Sequence, residues 1–125
     1  MVQASDPQSD WWVVCLCAAW CGVCRDWRAA FEQAAREHAG VRFAWVDIED
    51  EADAMGDVDV ETFPTVLIAR GHEARFLGPI QPSAPGLSRL LASLQEQAQP
   101  SPTLHAQAQA LMRRLSEHVL PDALL

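Results

Sequence analysis

The run from Trp11 to Ala19 is apolar without a break, and it stops at Trp20-Cys21-Gly22-Val23-Cys24. A strand with one solvent face alternates apolar and polar residues, whereas an unbroken apolar run of this length fits a strand covered on both faces, as in a parallel sheet. Beyond the cysteines, Val23, Trp27, Ala30, Phe31, Ala34 and His38 recur at helical spacing and form one helix face. Two cysteines separated by two residues, where a strand gives way to a helix, have the form of a dithiol redox centre. The physical reason is that the first helical turn offers unpaired N–H groups and the positive end of the macrodipole, and both stabilise a thiolate. Cys21, at or just before that turn, is the expected nucleophile. Cys24, one turn on and pointing inward, is its expected resolving partner.

The rest of the chain reads as further α/β elements. Val41 to Ile48 forms a second central strand, and Glu51 to Met55 a short helix followed by an acidic loop through Glu61. Thr65 to Ala69 and Glu73 to Leu77 flank Arg70-Gly71-His72 as a hairpin, its second strand alternating enough to be an edge. Ser83-Ala84-Pro85 opens a helix carrying Leu87, Leu90, Leu91 and Leu94. Gly40 is expected to end the first long helix, and Glu32 to pair with Arg36 along its polar side. The expected organisation is a flexible lead over 1–10, a domain over 11–98, a linker over 99–103 and a C-terminal amphipathic helix over 104–125. Leu104, Ala108, Leu111, Leu115 and Val119 form the stripe of that last helix, which must be buried, on its own domain in preference to a second copy because residues 1–10 are too few to cover the sheet face left open.

The net charge of −8 disfavours nucleic acid and anionic membranes as partners. No apolar run approaches the ~20 residues of a membrane span. With no basic residue before Trp11, no signal peptide is expected, and a cytoplasmic setting follows if Met1 is the native start. Cys15 and Cys17 extend the motif to Cys-x-Cys-x-x-x-Cys-x-x-Cys, which also admits a four-thiolate metal site. Structural metal sites are usually held by turns and not by an apolar strand, so no metal is assigned. Cys15 and Cys17 share one strand face, with Cα atoms about 6.6 Å apart, and are expected to be buried free thiols.

Trp-Cys-Gly-x-Cys resembles the active site of the thioredoxin family, and Thr62-Phe63-Pro64-Thr65 resembles that family's cis-proline segment. The order of elements over 11–98 is also similar. The resemblance implies a three-layer α/β/α sandwich around a central mixed sheet of about four strands, truncated at its N-terminus and extended by the C-terminal helix. It implies thiol–disulfide exchange through a Cys21–Cys24 dithiol with no cofactor. Trp20, Gly22, Val23, Phe63, Pro64 and Gly78 would contact substrate, Gly78 by letting a substrate backbone approach. Protein or small-molecule disulfides would be the substrates and a reductase the recycling partner, the chain being a monomer or a weak dimer through its last helix. Two departures from the family stand out. Cys15 occupies the place of a buried aspartate that helps deprotonate the resolving cysteine, and Trp45 that of its lysine partner. They keep a second function class open, a non-catalytic interaction module on the same fold.

Overall fold

The computed structural model describes residues 10–56, 58, 60, 63–96 and 106–123. Most of the expected lead, the linker, Thr62, Leu104 and the acidic residues Asp57, Asp59 and Glu61 lie outside the described residues.

Strand β1 (Trp11–Cys17) runs parallel to β2 (Arg42–Asp47) on one side and antiparallel to β3 (Thr65–Arg70) on the other. An antiparallel partner to β3, β4 (Glu73–Pro79), completes a four-stranded mixed sheet in the order β2-β1-β3-β4. The central place of β1 is what its sequence demands. Trp11, Val13, Cys15 and Cys17 face one layer, and Val14 and Leu16 the other, all of them buried.

The first layer holds α1 (Gly22–Glu37), with Trp27, Phe31 and Ala34, and α3 (Ala84–Glu96), with Leu87, Leu91 and Leu94. The Ser83 hydroxyl caps α3 by accepting the Gly86 N–H at 3.1 Å. Helix α1 ends at Glu37 with His38 as its cap, so the helix stops before Gly40 could act as its C′ residue. Glu32 pairs with Arg28 at 3.2 Å instead of Arg36, while Arg28 also lies 4.7 Å over the Trp45 ring. That stacking holds the guanidinium on the side of the helix where Glu32 can reach it.

The second layer holds the short α2 (Ala52–Met55), α4 (Ala106–His118) and α5 (Leu120–Ala123). The C-terminal stripe is buried on the chain's own sheet. Ala108, Leu111, Met112, Leu115, Val119 and Leu120 pack against Val14, Leu16, Ala44, Val46, Leu67 and Ala69. Side chains of this size are worth ~1.5–3 kcal/mol each when fully buried, enough to make the helix an integral layer. Polar ties fix it further. The Gln109 amide pairs with both backbone groups of Ala74, Oε1 accepting the N–H at 2.9 Å and Nε2 donating to the carbonyl at 3.1 Å. Arg114 donates to the carbonyls of Ala54 (2.6 Å) and Met55 (3.1 Å) at the end of α2.

Strand β4 is the edge expected, with one irregularity, whereas β2, expected to be central, is the opposite edge of the sheet among the described residues. Ala69 pairs with Ala74 but Ile68 with Phe76, so Arg75 is an extra residue in a bulge. The bulge lets Ala74 face the second layer and Phe76 the first. Arg75 is buried, bonded to Glu73 at 2.8 Å and stacked 5.7 Å over Trp11.

Candidate active site

The β1–α1 junction is tied from several sides. The Cys21 N–H donates to the Ala18 carbonyl at 3.0 Å, closing a turn, and Cys21 is the N-cap of α1. The Asp47 carboxylate, at the end of β2, accepts the Ala19 N–H at 3.0 Å. Arg25, from α1, donates to the Ala19 carbonyl at 2.8 Å. The loop carrying Trp20 and Cys21 is therefore held by both of its neighbouring elements. Asp47 is also locked in place, because its other oxygen accepts the N–H groups of Glu49 (2.8 Å) and Asp50 (3.3 Å). In the sequence Asp47 begins a run that also holds Glu49, Asp50, Glu51 and Asp53, and residue type alone does not set it apart there. The signal for its role is an aspartate ending a strand before a polar turn, the usual seed of a side-chain-to-backbone turn.

Exposed apolar side chains flank Cys21 along the chain. Trp20 is 62% exposed and Val23 49%, both unusually open for their size. The Trp20 ring meets Phe63 edge-on, with centroids 5.5 Å apart. The Phe63–Pro64 peptide bond is cis, and the Pro64 carbonyl accepts the Ile80 N–H at 3.2 Å. Gly22 opens α1, and a Cβ there would meet only Arg25, at an ordinary 3.8 Å. Gly78 pairs with Val66 between β3 and β4, and a Cβ there would press on the Phe76 ring at 3.3 Å.

The four sulfurs divide by depth. Cys15, Cys17 and Cys24 are buried, and Cys21 is half-buried. Cys24 is joined in a disulfide to Cys17, leaving Cys15 and Cys21 as free thiols. This corrects the expectation that Cys17 is a free thiol, and Cys21–Cys24 is not the pair seen here. Cys17 ends β1 on the face covered by α1, and its Cα lies 6.0 Å from that of Cys24 in the first turn of the helix, an ordinary bridging distance. Cys15 follows the expectation. Its sulfur lies 3.4 Å from that of Cys17 and accepts the Trp27 indole N–H at 3.4 Å. Burial pushes its thiol up from 9.0 to about 12, opposed in part by the Trp27 hydrogen bond and the Arg28 charge. At neutral pH, Cys15 is an un-ionised donor. Beside Cys24, a cavity of about 260 Å³ opens between Arg28, Trp45 and Asp47. Among the described residues, no group of His, Cys, Asp or Glu is arranged to hold a metal, and no helix is long and apolar enough to cross a membrane.

The family model for thioredoxin matches residues 2–83. Over 61 residues the chain is 34% identical to thioredoxin H2-1 of Oryza sativa subsp. japonica, covering 49% of this chain and 44% of that protein. Over 57 residues it is 30% identical to thioredoxin-1 of Caenorhabditis elegans, covering 46% and 50%. The chain thus spans about half the length of the curated relatives it matches. Among solved structures, Fasciola hepatica thioredoxin superposes with a TM-score of 0.61 at 24% identity, over 70% of this chain and 83% of that one. The first thioredoxin-like part of this similarity is the fold, a mixed sheet between helical layers with cysteines at the start of a helix, which is the framework of thiol–disulfide oxidoreductases. More particularly, the chain belongs to the thioredoxin family.

Proposed function

We propose that the protein reduces or exchanges disulfides through Cys21. The observation that carries this reading is the position of Cys21. The other three cysteine sulfurs are buried and this one is half-buried, it belongs to the N-cap residue of α1, and it follows Trp20, whose ring meets Phe63. Its thiolate attacks a substrate disulfide. One substrate sulfur becomes bonded to Cys21 and the other leaves as a thiolate. Cys24 then attacks Cys21 Sγ, forming Cys21–Cys24 and releasing the second substrate thiol. Substrate has gained two electrons and the dithiol has lost them.

In this reading Trp20, Phe63 and Pro64 shape the apolar contact with an extended substrate, Val23 and Gly22 border it, and Gly78 lies further along the same edge. Protein disulfides are the favoured substrates, because an apolar rim of this kind suits a peptide better than a small charged disulfide. A dithiol reductase would recycle the oxidised form, in a cytoplasmic setting. The test is turnover of insulin disulfides with dithiothreitol as the terminal reductant. Wild type should accelerate the reaction, and Cys21→Ser should fall to the uncatalysed rate. Absence of acceleration by a folded wild type would favour the interaction module instead.

A further inference from the structure

We propose that Cys17 is a third redox cysteine, to which the disulfide formed at Cys21–Cys24 is passed, so that the oxidised protein stores its disulfide inside as Cys17–Cys24 and regains a free Cys21. The inference rests on the exchange chemistry proposed above and goes beyond it. Cys24 is common to both pairs. It sits in the first turn of α1, after Cys21 at the N-cap, and it is bonded across the layer to Cys17 at the end of β1. Both members of the inner pair are 1% exposed and Cys21 is half-buried, so Cys21 is the readier point of entry for an external disulfide or reductant.

The transfer balances without a further reagent. The Cys17 thiolate attacks Cys24 Sγ, the Cys17–Cys24 bond forms, the Cys21–Cys24 bond breaks, and Cys21 leaves as a thiolate. The proton given up by Cys17 ends on Cys21. No electrons are gained or lost, since one disulfide replaces another. Recycling runs the steps backwards, with Cys21 reopening the inner bond and presenting Cys21–Cys24 to a dithiol reductant.

A hydrogen-bond chain offsets part of the cost of charging the buried Cys17 during this step. The Trp27 N–H donates to Cys15, and the un-ionised Cys15 thiol lies 3.4 Å from Cys17 Sγ, so a chain of donors ends on the attacking sulfur. Cys15 is here a positioning residue and takes no part in bond making. A structural disulfide would account for the same bond but not for the half-buried free thiol of Cys21 three residues before Cys24 at the helix start.

The sequence makes the test direct. Trp20 separates Cys17 from Cys21 and Cys24. After chymotryptic cleavage, Cys17–Cys24 appears as two cross-linked fragments and Cys21–Cys24 as a loop within one. The reduced full chain is mixed with oxidised glutathione, quenched in acid at intervals, blocked with N-ethylmaleimide and digested. The looped fragment should appear first, and the cross-linked pair should replace it, with Cys21 carrying the label. Cys17→Ala should stop at the loop, and Cys21→Ser should form the cross-link far more slowly than wild type. Cys15→Val should slow only the conversion of loop to cross-link, several-fold. The relay is overturned if wild type keeps the loop at all times, or if the cross-link forms as fast in Cys21→Ser. Retention of the loop by wild type at all times, while it still turns over insulin, would sink the relay alone. No reaction of either protein with glutathione or insulin would sink the exchange chemistry and the relay with it.

Discussion

Asp47 holds Ala19 across the top of the sheet, its carboxylate accepting the Ala19 N–H at 3.0 Å from the end of the neighbouring strand. This contact joins β2 to the loop that presents Cys21. Asp47→Ala removes the acceptor and also frees the N–H groups of Glu49 and Asp50. The expected cost is about 1.5–3 kcal/mol, the range for hydrogen bonds to a charged group, measured by urea unfolding. Insulin turnover should fall while Cys21 still alkylates, because the loop loses its position and not its thiol.

Substrate contact separates from chemistry at the rim. Trp20 is highly exposed and touches Phe63 at its edge, so Trp20→Ala should leave thermal stability nearly unchanged. Turnover of a protein disulfide should show a raised KM with a smaller effect on kcat. A small disulfide such as oxidised glutathione should react with Cys21 at close to the wild-type rate, since it gains little from an aromatic rim.

Cys15 gives the protein an isolated alkaline transition. An unfolded cysteine ionises near 9.0, whereas the buried thiol keeps its proton to about 12. Between these values the unfolded chain binds fewer protons than the native one, so stability present below pH 9.0 is lost as pH rises towards 12, by up to about 4 kcal/mol. The chain has no tyrosine, and all nine of its basic residues are arginine, so few other groups titrate in this window. Urea unfolding of Cys21→Ser, with and without Cys15→Ala, checks the sign. The alkaline loss should be much smaller once Cys15 is gone.

Much of the fold was legible because the relevant signals are redundant. The doubly apolar β1 had to be central, and Leu111 and Leu115 had to be buried. Which sulfur Cys24 meets was not legible. It depends on where β1 ends relative to the first turn of α1, a shift of one residue that periodicity does not resolve. Asp47 was hidden for a different reason, since one carboxylate in an acidic run looks like its neighbours until the backbone it accepts from is known. That α4 docks on the chain's own sheet was legible from the face the short lead leaves open, but the residues it meets there needed the three-dimensional arrangement.

That dock sets a further expectation. Leu111→Ala should destabilise the chain by about 2–5 kcal/mol, as for a leucine in a close-packed core. Gln109→Ala should cost less, about 1–3 kcal/mol, through the backbone groups of Ala74 it leaves unpaired. Thermal unfolding should stay a single transition in both, because α4 shares one apolar cluster with the sheet.

The most direct measurement concerns the sulfur that first bonds to substrate. In Cys24→Ser, nothing remains one turn from Cys21 to resolve a mixed disulfide. The variant, incubated reduced with a disulfide-bonded peptide and quenched in acid, is digested with chymotrypsin and mapped by mass spectrometry. The expected result is a stoichiometric peptide adduct on Cys21, with Cys15 and Cys17 unmodified. An adduct carried mainly by Cys17, or no adduct while the peptide disulfide is nevertheless reduced, would contradict the assignment of Cys21 as the attacking sulfur.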